Sequence, residues 1–270
     1  MIEPVSPATE APALEYLARS PYLNVFLMHV LQNELPASAR QNVAIAAAGE
    51  NVLGVAYFGR QFTIAAEPST LPAFGEHAKR HRGERMIVGS RETISGFWES
   101  VRSWHAPPRL VRDRQLVMAV DRARLRRYEA RTSVRQARTD EWKEVAESSS
   151  EMVRHELGYD PRRGANDFSA GIRQMLERRL WWVGTTDQRL CFFCNIGPWS
   201  AQTTQLQGIW TPPSMRGRGL ATASLAAICD RLLDTTPTLS LYVNDFNEAA
   251  IALYRRVGFE HVGDFQTLLF

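Results

Sequence analysis

Arg216-Gly217-Arg218-Gly219-Leu220-Ala221 is the stretch of this chain whose residue types most directly imply chemistry. Its glycines let the backbone turn so that successive N–H groups point the same way. A strongly helical segment, Ala221 to Leu233, starts where the glycines end. Converging amides at the positive end of a helix dipole suit a phosphate or pyrophosphate. A plain strand-to-helix connection is the other reading of the same residues. The lysine and Ser/Thr of a nucleotide P-loop are missing, and so is Gly-x-Gly-x-x-Gly spacing. Backbone amides would therefore hold the anion, and nothing nearby suggests a metal.

A second constellation follows. Leu239 to Val243 alternates as a strand does. Asn244-Asp245-Phe246-Asn247 carries polar residues suited to starting a helix. Ala250, Leu253, Tyr254 and Val257 share one helical face. Gly258 stands where a helix C′ glycine belongs, with the apolar Phe259 beyond it. Upstream, Met152 to Pro161 is rich in polar groups for a helix end and includes His155 and Glu156. His155 could titrate near neutral pH, or simply offset the helix dipole. Glu156 could bind an amine.

A strand, then Arg216-Gly217-Arg218-Gly219-Leu220-Ala221, a helix, a strand, and Asn247 to Gly258-Phe259 with Ala249, Ala250 and Tyr254 between resembles the GNAT superfamily of acetyl-CoA-dependent N-acetyltransferases. The resemblance covers roughly residues 132 to 270. It implies a mixed, largely antiparallel α/β sheet flanked by helices, and acetyl-CoA as co-substrate with no metal. It implies that Ile209, Trp210 and Thr211 offer backbone groups to the pantetheine arm. The pyrophosphate would rest on Gly217, Arg218, Gly219, Leu220 and Ala221, with Arg216 and Arg218 adding charge. Asn247, and with it Asn244, would contact the cofactor arm. Tyr254 would protonate or hydrogen-bond the departing sulfur; as a residue on an apolar helix face it also reads as a core tyrosine. His155 and Glu156 fall where the family shapes its acceptor pocket. Many family members place a carboxylate on the strand before the loop, but Thr203 to Trp210 has none. The implied activity is direct acetyl transfer to a primary amine on a small molecule or peptide. The alternative is a degenerate acyl-CoA-binding or regulatory module without turnover.

The elements that must position these residues occur twice. Ser133 to Phe270 reads as a strand, two helices, three strands, then helix, strand, helix and strand. The first 120 residues read as two helices, three strands between 42 and 66, a helix from Leu71, and strand, helix and strand again. No residue-level identity accompanies the echo. The connection matching the Arg/Gly loop is Glu67-Pro68-Ser69-Thr70-Leu71-Pro72, which has no glycine and carries an acid. The expectation is two tandem copies: a degenerate GNAT-like half over 1–121, a basic linker over 122–131, and a catalytic half over 132–270.

Composition fits a globular enzyme. The chain has 270 residues, 44% of them apolar, and a net charge of +3, which selects no partner class. Arg122, Arg124, Arg126, Arg127 and Arg131 crowd the linker with Tyr128 as the single aromatic. A solvated helical linker explains them, and no nucleic-acid partner is expected. No apolar run is long enough to span a bilayer, and no signal peptide is visible. The three cysteines form no disulfide framework. Cys191 and Cys194 have Cys-x-x-Cys spacing, but an odd offset in a strand predicts opposite faces and packed, reduced thiols, which points to the cytoplasm.

Overall fold

The computed structural model describes residues 2–33, 40–49, 51–81, 83–163 and 167–270. In chain order its strands are β1 (Ile2–Pro4), β2 (Val43–Ala48), β3 (Asn51–Phe58), β4 (Gln61–Ala66), β5 (Met86–Ser90), β6 (Leu110–Asp121), β7 (Ser133–Gln136), β8 (Trp181–Thr186), β9 (Arg189–Trp199), β10 (Thr204–Trp210), β11 (Thr238–Asn244) and β12 (Glu260–Leu269). The helices are α1 (Pro7–Ala18), α2 (Pro21–Gln32), α3 (Leu71–Ala78), α4 (Arg91–Val101), α5 (Trp142–Leu157), α6 (Phe168–Glu177), α7 (Leu220–Leu232) and α8 (Glu248–Val257).

Period-two alternation sends successive side chains to opposite faces, and each face acquires its own apolar layer. In the first half Ala44, Ala56, Phe62 and Ile64 meet Phe74 of α3 and Phe97 of α4. Val43, Ile45, Val55 and Ala65 meet Leu17 of α1 and Leu27 of α2. In the second half Leu206, Leu239 and Leu241 pack with Leu225 of α7 and Tyr254 of α8. Trp181, Val183, Phe193 and Trp210 pack with Val145 of α5 and Ile172 of α6.

All twelve strands join one sheet, in the order β1-β2-β3-β4-β5-β12-β6-β11-β10-β9-β8-β7. Reversing this order and shifting each label by six returns the same list, so the echo in the sequence is an echo in topology. The final strand of each half lies inside the other. β12 pairs antiparallel with β5, Thr267 opposite Val88, and with β6, Asp264 opposite Leu116. β6 pairs antiparallel with β11 along its length, Leu116 opposite Val243. The expected mixed, largely antiparallel sheet is present, and the two copies share it.

One expectation fails locally. Cys191 and Cys194 both pack into the layer beneath α7. The register of β9 against β8 shifts between Phe192 and Leu190, so Cys191 is the extra residue of a bulge and the alternation breaks there. Both thiols are buried and reduced, with Cys191 Sγ donating to Gly184 O at 3.3 Å. Burial pushes the Cys194 thiol up to about 12. Among the described residues no group of three His, Cys, Asp or Glu side chains could hold a metal ion, and no helix is long and apolar enough to cross a membrane.

Candidate active site

β10 and β11 run parallel but pair only at Thr204–Leu239 and Gln205–Ser240. Beyond Gln205 the two strands part. On its other side β10 loses register against β9 between Gln207 and Trp210, where Gly208 takes φ +55°. This bulge turns the strand end, so Leu206 to Trp210 presents a backbone edge with no strand beside it. Pro212-Pro213 then stops the strand, and the Arg/Gly loop leads into α7.

In the loop Gly217 and Gly219 adopt φ +73° and +74°, the left-handed region that side chains disfavour. A Cβ on Gly217 would meet nothing within 4 Å, and one on Gly219 only Arg131 Nη1 at 3.7 Å. The concave side of the loop is open. Gly219 caps α7 without a side-chain acceptor, so the first-turn amides of Leu220 and Ala221 face outward with the helix dipole behind them. The residues fit an anion such as a pyrophosphate.

A cavity of about 750 Å³ begins at this loop. It brings together Ile209, Trp210, Thr211, Arg216 to Ala221, Asn247, Tyr254, His155 and Glu156. Asn244 does not line it: its Oδ1 accepts a hydrogen bond from Gln115 Nε2 of β6 at 3.0 Å. Asn247 both lines the cavity and caps α8, accepting from the Ala250 amide at 3.2 Å. Arg216 is engaged in part. Its guanidinium stacks on the Trp210 ring at 4.4 Å and its Nε donates to Thr211 O at 3.0 Å. Thr211 thus has its carbonyl engaged.

Tyr254 stands both in the core, 6% exposed, and at the cavity. Burial, with the Glu156 charge adding, pushes its hydroxyl well above the ordinary phenol range, so it remains a proton donor. Glu156 is exposed at the cavity, and partial desolvation by the surrounding walls holds its carboxyl above the usual carboxylate range. Arg112 of β6 and His155 oppose that rise, Arg112 Nη2 also donating to Glu156 O at 3.4 Å. Burial raises the Tyr242 hydroxyl on β11, with the Glu156 charge adding. His155 meets the Trp210 ring edge-on at 5.3 Å. Trp210 is 6% exposed and its Nε1 has no hydrogen-bond partner in the protein.

Sequence reasoning passed over Arg131, which stands beside the cradle. It was visible only as one of five linker arginines. Three of the others are paired: Arg122 and Arg127 with Asp230, and Arg124 with Asp121 and Glu260.

Residues 134–259 match the acetyltransferase (GNAT) family, and residues 37–145 match a domain of unknown function, DUF4081. Residues 134–259 belong to the GNAT acetyltransferase family. The GNAT segment contains the parted strands, the glycine loop and Tyr254. No curated protein matches the chain. In fold the chain is similar to a Drosophila protein, with a TM-score of 0.71 and 12% identity over 100% of this chain and 98% of that one. It is similar to a GCN5-related N-acetyltransferase from Sphaerobacter thermophilus, with a TM-score of 0.62 and 15% identity over 99% and 94%. A tandem GNAT protein from the clavulanic acid biosynthesis pathway gives a TM-score of 0.59 and 14% identity over 100% and 98%. At these identities the likeness is one of fold, and it extends across both halves.

Proposed function

We propose that this protein is an acetyl-CoA-dependent N-acetyltransferase that moves the acetyl group directly to a primary amine. One observation carries the reading: a strand edge left open by a splay runs into an amide cradle, and a buried tyrosine hydroxyl lines the same cavity. Acetyl-CoA supplies an activated thioester and a pyrophosphate, and the residues fit both. The amides from Gly217 to Ala221 receive the pyrophosphate, with Arg131 adding charge. The open edge of β10 aligns the arm. An N–H there steadies negative charge on the thioester oxygen.

The nitrogen–carbon bond forms as the carbon–sulfur bond breaks; the amine gives up a proton to a base, and the departing thiolate takes up a proton through solvent. A phenol held above its normal range loses its proton less readily than a thiol with a pKa near 8.5. Tyr254 therefore acts by donating a hydrogen bond to the departing sulfur. β10 carries no acid, which is what a non-catalytic acyl-CoA-binding module would predict. Glu156 supplies a carboxyl from α5 instead, and its raised pKa suits proton acceptance near neutral pH. The test is thiol release from acetyl-CoA by the full chain across a panel of amines. Acetyl-CoA binding with no transfer to any amine would remove the catalytic reading.

A further inference from the structure

A second cavity, of about 390 Å³, lies on the sheet face covered by α2 and α6 and is built by both halves. Leu23, Phe26 and His29 come from α2; Met175 and Arg178 come from α6 and the residue after it. Its floor includes Gln205 and Gln207 of β10 and Tyr242 of β11. These flank the point where β10 and β11 part, so the cavity reaches the splay from the face opposite α7 and α8.

Among the described lining residues none is Asp or Glu, and Arg178 is the one permanent charge. Arg178 is exposed at the rim, lies over the Trp199 ring at 6.0 Å, and has no carboxylate partner among the described residues. His29 lines the cavity from the other half of the chain. Its Nδ1 lies 3.2 Å from the Trp199 amide, 3.1 Å from the Trp199 carbonyl oxygen and 2.9 Å from Asn33 Nδ2. Burial lowers the pKa of His29, against a hydrogen bond to the Trp199 backbone that raises it and with Arg178 adding to the fall. Gln207 gives its Nε2 to Gln205 Oε1 at 3.0 Å, which leaves Gln207 Oε1 to accept a hydrogen bond from an amine.

We propose that this cavity holds the acceptor, and that the acceptor is a compact α-amino carboxylate with an apolar side chain, an amino acid or dipeptide. The inference rests on the acetyltransferase reading above. Arg178 binds the carboxylate, with the His29 ring closing the cavity from the other half of the chain. Leu23, Phe26 and Met175 pack on the side chain. Gln207 Oε1 turns the amine toward the splay. Polyamines and aminoglycosides carry several positive charges, find no carboxylate here and are repelled by Arg178.

The experiment uses the full chain with leucine and phenylalanine, their carboxamides, and spermidine as probes. Calorimetry in the presence of CoA reads binding; thiol release reads transfer. The amino acids should bind and react at least tenfold better than their carboxamides, with spermidine inert. Arg178→Met keeps an apolar stem on Trp199 and sits at an exposed site, so the fold survives. It should weaken amino-acid binding and raise the KM about 10- to 100-fold, as expected for a lost charge-assisted hydrogen bond, and leave acetyl-CoA affinity unchanged. Preferred transfer to spermidine, or equal amino-acid binding by wild type and Arg178→Met, overturns the acceptor assignment while leaving the acetyltransferase standing. Amino-acid binding that Arg178→Met weakens, without transfer to any amine, supports the cavity and overturns the activity.

Discussion

Gly219 offers the sharpest perturbation of the cradle because fold and binding separate there. At φ +74° an L side chain costs about 1–2 kcal/mol, and for a chain of this size that lowers the melting temperature by about 2–8 °C. The only neighbour a Cβ would meet is Arg131 Nη1 at 3.7 Å, so no clash adds to the strain. Gly219→Ala thus measures strain alone. Gly219→Asp pays no more strain, since Asp tolerates the left-handed region better than Ala. It adds a carboxylate where the pyrophosphate should rest. One pair of like charges 4 Å apart costs about 1 kcal/mol in bulk water and about 4 kcal/mol near a protein surface. CoA affinity should therefore fall between about fivefold and about a thousandfold from Ala to Asp, with similar melting temperatures. Titration calorimetry of CoA into the three full-length proteins, with thermal unfolding alongside, reads both quantities. Equal CoA affinity in the Ala and Asp variants would show that the pyrophosphate lies elsewhere.

Three further outcomes are expected. Tyr254→Phe should keep acetyl-CoA affinity and lose about 100-fold in transfer; because burial holds this hydroxyl protonated, the wild-type kcat profile should show no basic limb from it, and unchanged turnover in the variant would reduce Tyr254 to a packing residue. Glu156 is raised in the folded state, so the native protein binds its proton more tightly and loses stability as pH rises through the ordinary carboxylate range; Glu156→Gln should melt higher than wild type at pH 7, the gain vanishing below about pH 4, and a gain that grows on acidification would contradict the raised pKa. Residues 132–270 expressed alone lack β6, which separates β11 from β12, and should fail to fold, whereas co-expression with residues 1–131 should give a soluble complex that binds CoA; a folded, CoA-responsive 132–270 monomer on size exclusion would refute the shared sheet.

The cradle and Tyr254 were legible in the sequence because local spacing determines them. Glycines at 217 and 219 set the turn, and the Asn247 cap with Gly258 bounds the helix that carries Tyr254. Asn244 was misplaced for the opposite reason. Its environment depends on Gln115, a residue 129 positions away on a strand from the other half. The exchange of β6 and β12 left no local trace, since Leu116 to Val120 is an unbroken apolar run that suits the interior of either half. The Cys191 bulge was invisible because one inserted residue reverses a pattern without altering composition. The role of Arg131 and the whole second cavity arise from packing between halves, which no motif encodes.

The position of β12 also bears on how the molecule is made. Its ten residues, Glu260–Leu269, are synthesised well after β5 and β6, and they fill the gap between those strands at the centre of the sheet. Until they emerge, the first half exposes two unfinished strand edges, although its own residues were complete long before. Such edges invite pairing with other chains. The growing chain therefore depends on β12 to close the sheet, and a nascent chain broken off before β12 has lost a central strand.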